Sequence, residues 1–280
     1  MLLKKHTQEF LQIKPDLQSF LYRMLTNKQD MEDIVQETYI KVNQNINNFK
    51  GESAFKTWVF AIALNLAKNH LKKQKRWLDN AQDYGAELHS SDEGLWNKMR
   101  EVFASTPDRI YDIKEHIAYC CNCIFKTLEL NQQICMWLKE VYHFKVHEII
   151  EITGLSEGKV KHAIADGRKN MIRIFGNRCS FVSKKGVCHQ CTVLKGNLNP
   201  EHNAQIEAAK LKMVKEGNNP DKEHLLNLRF ELTSTIDPLN APNTILNTYM
   251  LENSENWVAS GQQKKVFADD QRKIVPGCEF

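Results

Sequence analysis

The sequence predicts an all-α protein with two small helical domains, a flexible linker between them and a mostly helical C-terminal extension. Three observations predict this fold class. Apolar residues recur at helical spacing through the first 76 residues, small and acidic residues dominate the next stretch, and two amphipathic segments then flank a glycine. The predicted boundaries are 1–78 for the first domain, 79–112 for the linker, 113–178 for the second domain, and 179–280 for a Cys-containing segment followed by helices.

Two helices are predicted at the start of the first domain. Residues 1–29 predict one helix that is interrupted near Pro15. Its apolar side consists of Phe10, Leu11, Leu17, Phe20, Leu21 and Leu25. Residues 27–30 form a polar break, after which Asp30 is expected to cap the second helix. The core side of that helix consists of Ile34, Val35, Thr38, Tyr39 and Val42.

Residues 49–76 predict a tight turn and a third helix with a cationic end. Gly51 permits the turn, and Ser53 is expected to cap the helix. The apolar stripe of this helix consists of Phe60, Ala63, Leu64, Ala67 and Leu71, widened by Trp58, Ile62 and Leu66. The cations that follow, with no acidic residue among them, are Lys68, Lys72, Lys73, Lys75 and Arg76. Because Lys and Arg neutralise phosphates, this helix suits a polyanion; a solvated charge run is the alternative, and the stretch alone favours neither.

The segment before this helix favours the polyanion. Residues 30–39, DMEDIVQETY, joined to FKGESAFKTWVFAIALNLAKN, resemble region two of bacterial RNA polymerase sigma factors of the extracytoplasmic-function type. The resemblance runs from about residue 21 to residue 76. It implies a protein without catalytic activity that binds core RNA polymerase, directs it to specific promoters and promotes DNA melting. The implied partners are core polymerase and promoter DNA. An anti-sigma factor is a further partner that the resemblance admits, although the sequence carries no signal for one.

The resemblance also assigns roles to individual residues. On the second helix it implies polymerase contacts at Asp33, Gln36 and Glu37, for which a solvated acidic face is the alternative. It implies contacts with the minus-ten promoter element at Phe49, Lys50, Ser53, Lys56, Asn65, Lys68 and Lys72. An aromatic ring can stack on an unstacked base and an amide can pair with base edges, while lysines hold phosphates. The alternatives are a core aromatic for Phe49 and a helix-surface amide for Asn65. Ala61 departs from the family, many of whose members have a basic residue there.

The second domain has the pattern of a helix-turn-helix. Gly154 marks the turn between two amphipathic helices, and Ser156 is expected to cap the second, which is basic. This unit resembles sigma region four, which implies contacts with the minus-thirty-five element at Ser156, Lys159, Lys161, His162, Arg168 and Lys169. Two residues depart from the family pattern: Asp166 puts a negative charge toward phosphates, and Gly167 weakens the helix by roughly 1 kcal/mol relative to Ala. These departures predict weak or unusual binding of that element.

The cysteines suggest an additional site. Cys188 and Cys191 have the form of a metal knuckle, and Cys120 and Cys123 are one turn apart on a predicted helix. The candidate metal ligands are Cys120, Cys123, Cys179, Cys188 and Cys191. For the pair at 188 and 191, the alternatives are zinc or another thiolate-bound metal, a redox thiol pair, and no special role. The cysteines on apolar helices, Cys121 and Cys135 included, also suit a core position. The family's function itself requires no cofactor.

The extension after residue 199 predicts further helices. Residues 201–217 predict an amphipathic helix ended by Gly217, and residues 222–232 predict another. Residues 237–242 predict a turn, after which residues 245–251 and Trp257 are expected to return onto the earlier units. Minimal members of the family end soon after region four, so we expect the extension to fold against the DNA-binding units and modulate them.

Composition and motifs limit the other functions. The 280 residues have a net charge of +4, eight cysteines and no apolar run that could cross a bilayer, and the N-terminus has no signal-peptide core. We therefore expect a cytoplasmic protein without structural disulfides. No phosphate-binding glycine loop, nucleophile elbow or paired-carboxylate motif is present, and the HEIIE run lacks the second His of a metalloprotease. Two alternatives to a sigma factor stay open: a helix-turn-helix regulator that binds DNA without polymerase, and a thiol enzyme or metal sensor.

Overall fold

The regular elements of the described residues are all helical, as the sequence predicts. The computed structural model describes residues 2–74, 76–77, 92–105, 113–178, 209–242 and 244–259. The helices are α1 (Leu2–Leu25), α2 (Lys28–Asn45), α3 (Phe55–Lys73), α4 (Glu93–Ala104), α5 (Ile113–Phe125), α6 (Leu130–Met136), α7 (Val146–Thr153), α8 (Glu157–Arg178), α9 (Lys212–Lys215), α10 (Lys222–Ser234) and α11 (Thr244–Ala259). A 3-10 turn, Ile46–Asn48, follows α2, and a π-helical segment, Trp137–Val141, continues α6.

Helix α1 is continuous, so the predicted interruption at Pro15 is wrong. Proline removes the hydrogen bond to the carbonyl four residues earlier, here that of Leu11. Both residues are exposed, Leu11 by 57%, so water can bind the freed carbonyl. Leu11 therefore does not belong to the apolar side of the helix. The other predicted core residues of α1 are buried.

The predicted caps of α2 and α3 are also corrected. Helix α2 begins two residues before Asp30, because Asn27 caps it: the Asn27 side chain accepts a hydrogen bond from the Asp30 backbone N–H at 2.9 Å. Helix α3 has Ala54 at its N-cap, with no side-chain hydrogen bond. Ser53 lies one residue too early for this role. Gly51 adopts φ +73°, as the predicted turn requires.

The helix-turn-helix forms where the sequence predicts it. Gly154 ends α7 in the left-handed conformation, with φ 70°, and α8 begins at Glu157, directly after Ser156. Gly167 has a packing role that helix propensity does not reveal. A Cβ atom at this position would lie 2.7 Å from Cγ of Met136, so only glycine allows α8 to approach α6 this closely.

The two predicted domains share one hydrophobic core. Helix α7 packs against α3, and the π-helical segment reaches α1. The Phe60 ring lies 4.9 Å from that of Phe144, centroid to centroid. The Tyr142 hydroxyl lies 2.8 Å from Oγ of Ser19, and burial raises the pKa of this tyrosine to about 12. The first helical unit and the helix-turn-helix are thus held face to face.

Two buried cations connect the chain segments at this junction. Arg23 on α1 is 3% exposed and donates from Nη2 to the backbone oxygens of Thr233, at 3.2 Å, and Ile236, at 2.6 Å. Both oxygens lie at or just after the C-terminal end of α10, so Arg23 connects that end to α1. Lys126 donates from Nζ to the Met24 backbone oxygen, at 2.5 Å, near the end of α1. The extension is therefore attached to the first helix of the chain.

The extension forms a second, smaller core with the linker helix. Its buried residues are Met99, Ile113, Ile117, Met213, Leu225, Leu228 and Leu246. Helix α4 lies within the predicted linker, and α10 confirms the helix predicted over residues 222–232. The helix predicted over residues 201–217 is wrong in its described part: it is broken at Leu211, whose backbone is extended, with φ −69° and ψ 135°. Helix α11 returns onto the earlier helices, where Leu251 joins the main core.

Candidate nucleic-acid interface

The cationic end of α3 is open to solvent. Asn65 and Lys72 are exposed and Lys68 is half-buried, while the apolar stripe of the helix is buried. The Lys68 Nζ donates to Oδ1 of Asn65 at 2.7 Å, which holds an amide and an ammonium together on one face. Among the described residues, no carboxylate forms an ion pair with Lys68, Lys72 or Lys73. Their charge is therefore available to a polyanion, although cations in a last helical turn also suit the helix dipole.

An aromatic cluster supports the turn before α3. The ring of Phe49 is half-buried, with its centroid 5.0 Å from that of Trp58 and 5.6 Å from that of Phe55. His6 joins the cluster from α1, 5.0 Å from the Phe55 ring. Phe49 is thus held in place by its neighbours but keeps part of its ring accessible. A half-exposed, fixed aromatic ring is a surface on which a base can stack.

The remaining predicted minus-ten residues lie in two environments. Lys50 is exposed and Ser53 is half-buried, both in the turn around Gly51. Lys56 is at the junction with the helix-turn-helix: its Nζ lies 2.7 Å from Oδ2 of Asp16 and 5.2 Å from the centroid of the Phe144 ring. In this conformation, Lys56 contacts protein groups on both sides.

The solvent face of α2 is acidic around one apolar side chain. Asp33, Gln36 and Glu37 are all exposed, as the predicted polymerase contacts should be. Ile40 is 46% exposed and follows Gln36 and Glu37 by four and three residues, so it lies on the same face. Ile40 is not among the contacts predicted from the sequence. An exposed isoleucine that breaks the helical core pattern was the available signal.

Helix α8 presents a row of exposed side chains with mixed charge. Lys159, His162, Asp166 and Lys169 are exposed and follow one another at steps of three or four residues. Lys161 is also exposed, but its Nζ is bound by Oε1 of Glu157 at 2.7 Å, one turn earlier. Ser156 is exposed before the first turn. The recognition helix therefore combines free cations with one acidic residue in the middle of the row.

Arg168 is engaged by the extension. Its guanidinium lies 2.7 Å from Oε1 of Glu140, 2.6 Å from Oε2 of Glu223 and 2.5 Å from Oδ1 of Asn227, the last two on α10. Burial opposes the charge on Arg168, but the hydrogen bonds with the two glutamates outweigh it and raise the pKa of the guanidinium. Neither glutamate was singled out by the sequence analysis, because residues far apart in sequence form this cluster.

The described cysteines lie in or against the core. Cys121, Cys123 and Cys135 are buried and Cys120 is half-buried. Burial raises the pKa of the Cys121 thiol to about 11 and that of Cys135 to about 12. Within the described residues, no group of three His, Cys, Asp or Glu side chains could hold a metal. The other predicted ligands, Cys179, Cys188 and Cys191, lie outside the described residues.

Comparison with known proteins identifies the family. A family model of sigma-70 region 2 matches residues 10–76. The ECF RNA polymerase sigma-E factor of Haemophilus influenzae is 29% identical over 143 residues, which cover 51% of this chain and 73% of the relative. Those of Escherichia coli K12 and Salmonella typhimurium LT2 are 29% identical over 143 residues, 50% of this chain and 71% of each relative. The chain belongs to the sigma factors of the extracytoplasmic-function type.

This membership confirms the resemblance seen in the sequence. The sigma factor directs promoter-specific transcription by RNA polymerase, and its family consists of transcription factors, not enzymes. Region 2 corresponds to most of α1, to α2 and α3, and to the turn between α2 and α3. These parts together contain the predicted polymerase and minus-ten residues. About half of the chain lies outside the alignments with these relatives. Among the described helices of the sigma factor, none has the length and apolar character needed to cross a membrane.

Proposed function

We propose that α3 and the turn before it capture the opened strand of the minus-ten element. The observation that carries the proposal is the exposed cationic end of α3, where Asn65 and Lys68 are held together, on the helix that follows the half-exposed ring of Phe49. Lys68 and Lys72 would hold backbone phosphates, which positions the strand without reading its sequence. Phe49 would stack on a base that has left the duplex, and the Asn65 amide would pair with a base edge.

Stacking and phosphate contacts would offset the cost of holding a base out of the duplex. Removing a base from the duplex stack costs a few kcal/mol. Stacking on an aromatic side chain returns about 1–3 kcal/mol per base, and phosphate contacts add to it. Because Phe49 is already fixed by Trp58 and Phe55, little side-chain freedom is lost when a base stacks on it.

On α2, the exposed face is the proposed contact with core polymerase. Asp33, Gln36 and Glu37 supply polar contacts, and Ile40 supplies the apolar centre that interfaces commonly have. We assign the polymerase-binding and minus-ten functions to residues 1–78, and the minus-thirty-five function to residues 113–178. In the latter, the exposed candidates on α8 are Lys159, His162 and Lys169, and Lys161, which is paired with Glu157.

The extension is proposed to modulate the helix-turn-helix unit. Helix α10 engages Arg168 on the recognition helix, while its C-terminal end is held by Arg23 of α1. Opening the two DNA-binding units for a promoter would require these contacts to change. We further propose a cytoplasmic location, where polymerase acts, and keep the five-cysteine zinc site and an anti-sigma partner as predictions that transcription assays with chelator and with candidate partners can address.

Run-off transcription with core RNA polymerase on a promoter library tests the proposal. We expect start-site opening, detected by permanganate, to fall at least tenfold in the variant with Phe49→Ala and Asn65→Ala. Asn69→Ala is the matched control, since Asn69 is an exposed amide on the same helix, one turn later. Unchanged opening in the double variant, or no association of the chain with core polymerase, would contradict the proposal. Tight duplex binding without polymerase would favour the simple helix-turn-helix regulator instead.

A further inference from the structure

A pocket lies between the C-terminal half of the recognition helix and the extension. Helix α8 contributes Ile172 and Phe175, and α10 contributes Leu225, Leu226 and Arg229. Its volume is about 80 Å³ for the centre of a water-sized sphere. A single water needs about 10–15 Å³ by this measure, so the pocket has room for several heavy atoms. Lys222, which is exposed, lies at its rim.

Arg229 is a buried cation that has no anionic partner among the residues that the structure describes. The residue is 2% exposed, and its Nη1 is buried without any hydrogen bond. Its guanidinium carbon lies 3.9 Å from the centroid of the Phe175 ring. In the described part of the chain, no carboxylate forms an ion pair with Arg229. The ring interacts with one face of the guanidinium and leaves the Nη1 donor unsatisfied.

The other arginines around α10 differ from Arg229. Arg168 is bound by two glutamates and an asparagine. Arg23 donates from Nη2 to two backbone oxygens, although its Nε, like Nη1 of Arg229, is buried without a hydrogen bond. Buried charges in proteins are normally paired, because removing an ion from water is unfavourable unless other groups replace its hydration. A buried arginine that lines a pocket and has no such groups among the described residues is therefore a suitable site for an anionic ligand.

We propose that this pocket binds a small organic carboxylate with a short aliphatic chain. The carboxylate would accept hydrogen bonds from Arg229, for which its planar, two-oxygen geometry is well suited. Lys222 adds positive charge at the rim; its Nζ has only a long contact, 3.4 Å, with the Asn219 backbone oxygen. Ile172, Leu225 and Leu226 supply an apolar wall for the aliphatic chain. Inorganic phosphate has the charge but no group for that wall, so it binds more weakly.

Ligand binding in the pocket is coupled to the packing of α10 against α8. The ligand touches both α8 and α10, so it binds tightly only when the extension lies against the recognition helix. Any ligand that binds one arrangement better than another shifts the population toward it. This inference goes beyond the proposed promoter function and does not depend on it, because binding is measured on the chain alone.

Calorimetric titration and thermal unfolding of the full chain test the site, with butyrate, n-butylamine and inorganic phosphate as probes. We expect butyrate to bind and to raise the Tm, n-butylamine not to bind, and phosphate to bind at least tenfold more weakly than butyrate. Equal binding of butyrate and phosphate would overturn the assigned ligand class. Absence of butyrate binding, or equal binding of butyrate and n-butylamine, would overturn the site itself.

Three variants test whether butyrate binds in this pocket. Arg229→Met should weaken butyrate binding at least tenfold. Lys222→Met, at an exposed position that leaves the core intact, should weaken it about threefold and decides the question if Arg229→Met fails to fold. Lys215→Met removes an exposed cation of the extension outside the pocket and should leave binding unchanged. Butyrate binding that survives both pocket variants unchanged would overturn the proposal.

Discussion

The cationic end of α3 and the recognition helix α8 differ in how much of their charge is already engaged. On α3, Lys68 and Lys72 have no carboxylate partner in the described part of the chain. On α8, Arg168 is bound by Glu140 and by two side chains of α10, and Lys161 is bound by Glu157. The end of α3 thus presents two lysines without a carboxylate partner in that part of the chain, although Arg76, just after the helix, is bound by Glu129. On α8, two cations are engaged within the protein, while Lys159 and Lys169 remain exposed.

This difference indicates where promoter binding can be regulated. A helix whose cations are free can bind phosphates without rearrangement. A helix whose cations are paired must first break contacts within the protein, so whatever stabilises those contacts lowers its affinity for DNA. In this chain the contacts come largely from the extension, which is also held by Arg23 of α1. The extension is therefore placed to act on α8 and not on the free end of α3.

The largest expected effect comes from removing the free cations of α3. Each phosphate contact on single-stranded DNA contributes about 0.7 to the salt slope, so Lys68→Ala with Lys72→Ala should lower this slope by about 1.4. At about 0.1 M salt this corresponds to roughly 25-fold weaker binding. Holoenzyme binding to a promoter with an opened minus-ten element, measured against salt, checks the prediction. Lys215→Ala is the control, and an unchanged slope in the double variant would mean that these lysines form an ordinary solvated face.

The second-largest effect on DNA binding is expected from reversing the charge of Asp166 on α8. This exposed carboxylate lies in the row of Lys159, His162 and Lys169, where it repels phosphates. Asp166→Lys should add about one phosphate contact and strengthen binding to duplex DNA with a minus-thirty-five element by about eightfold at 0.1 M salt. Glu231→Lys makes the same charge change on an exposed position of α10. If both variants strengthen binding equally, net charge explains the gain and the row on α8 has no special role.

A smaller effect should follow from releasing Arg168. Glu223→Gln with Asn227→Ala removes the two α10 partners but leaves Glu140 in place. Because partly exposed ion pairs contribute little, we expect binding to the minus-thirty-five element to rise only about two- to fivefold. Fluorescence anisotropy with the holoenzyme measures this change. Glu231→Gln, which removes one negative charge from the same helix, should have no effect, and a fall in affinity in the double variant would show that α10 supports α8 instead of occupying it.

Helical periodicity predicted most of the fold, because local rules determine it. The core residues of α2 and α3 and the turn at Gly154 follow from spacing and from the conformations that glycine allows. Helix propensity gave an incomplete account of Gly167, because the role of this residue depends on its distance from Met136. It was wrong about Pro15, because this proline lies on the solvent-facing side of α1, where the missing backbone hydrogen bond is tolerated.

Candidate sites formed by residues of one helix could be predicted from the sequence, whereas sites formed by residues far apart in sequence could not. Asn65 and Lys68 are neighbours on one helix, so sequence spacing brings them together. Arg168 and Glu223 are 55 residues apart, and Arg23 and Ile236 are 213 apart, so no pattern along the chain predicts these pairs. The pocket at Arg229 has the same origin. Tertiary packing, not sequence spacing, decides how Arg23, Arg168 and Arg229 are engaged.

The smallest effect tests whether pairing within α8 also matters. Glu157 binds Lys161 one turn later, and this hydrogen bond lowers the pKa of the Glu157 carboxyl. The carboxylate is therefore charged at neutral pH and the pair is formed; its contribution is lost only as the pH falls through that lowered pKa. Glu157→Gln removes the pair at all pH values and should strengthen minus-thirty-five binding by at most about twofold, as expected for a solvent-exposed pair on a helix. Glu151→Gln on α7 is the control. A gain as large as that from releasing Arg168 would mean that pairing within the helix, and not the extension, sets the difference between the two DNA-binding units.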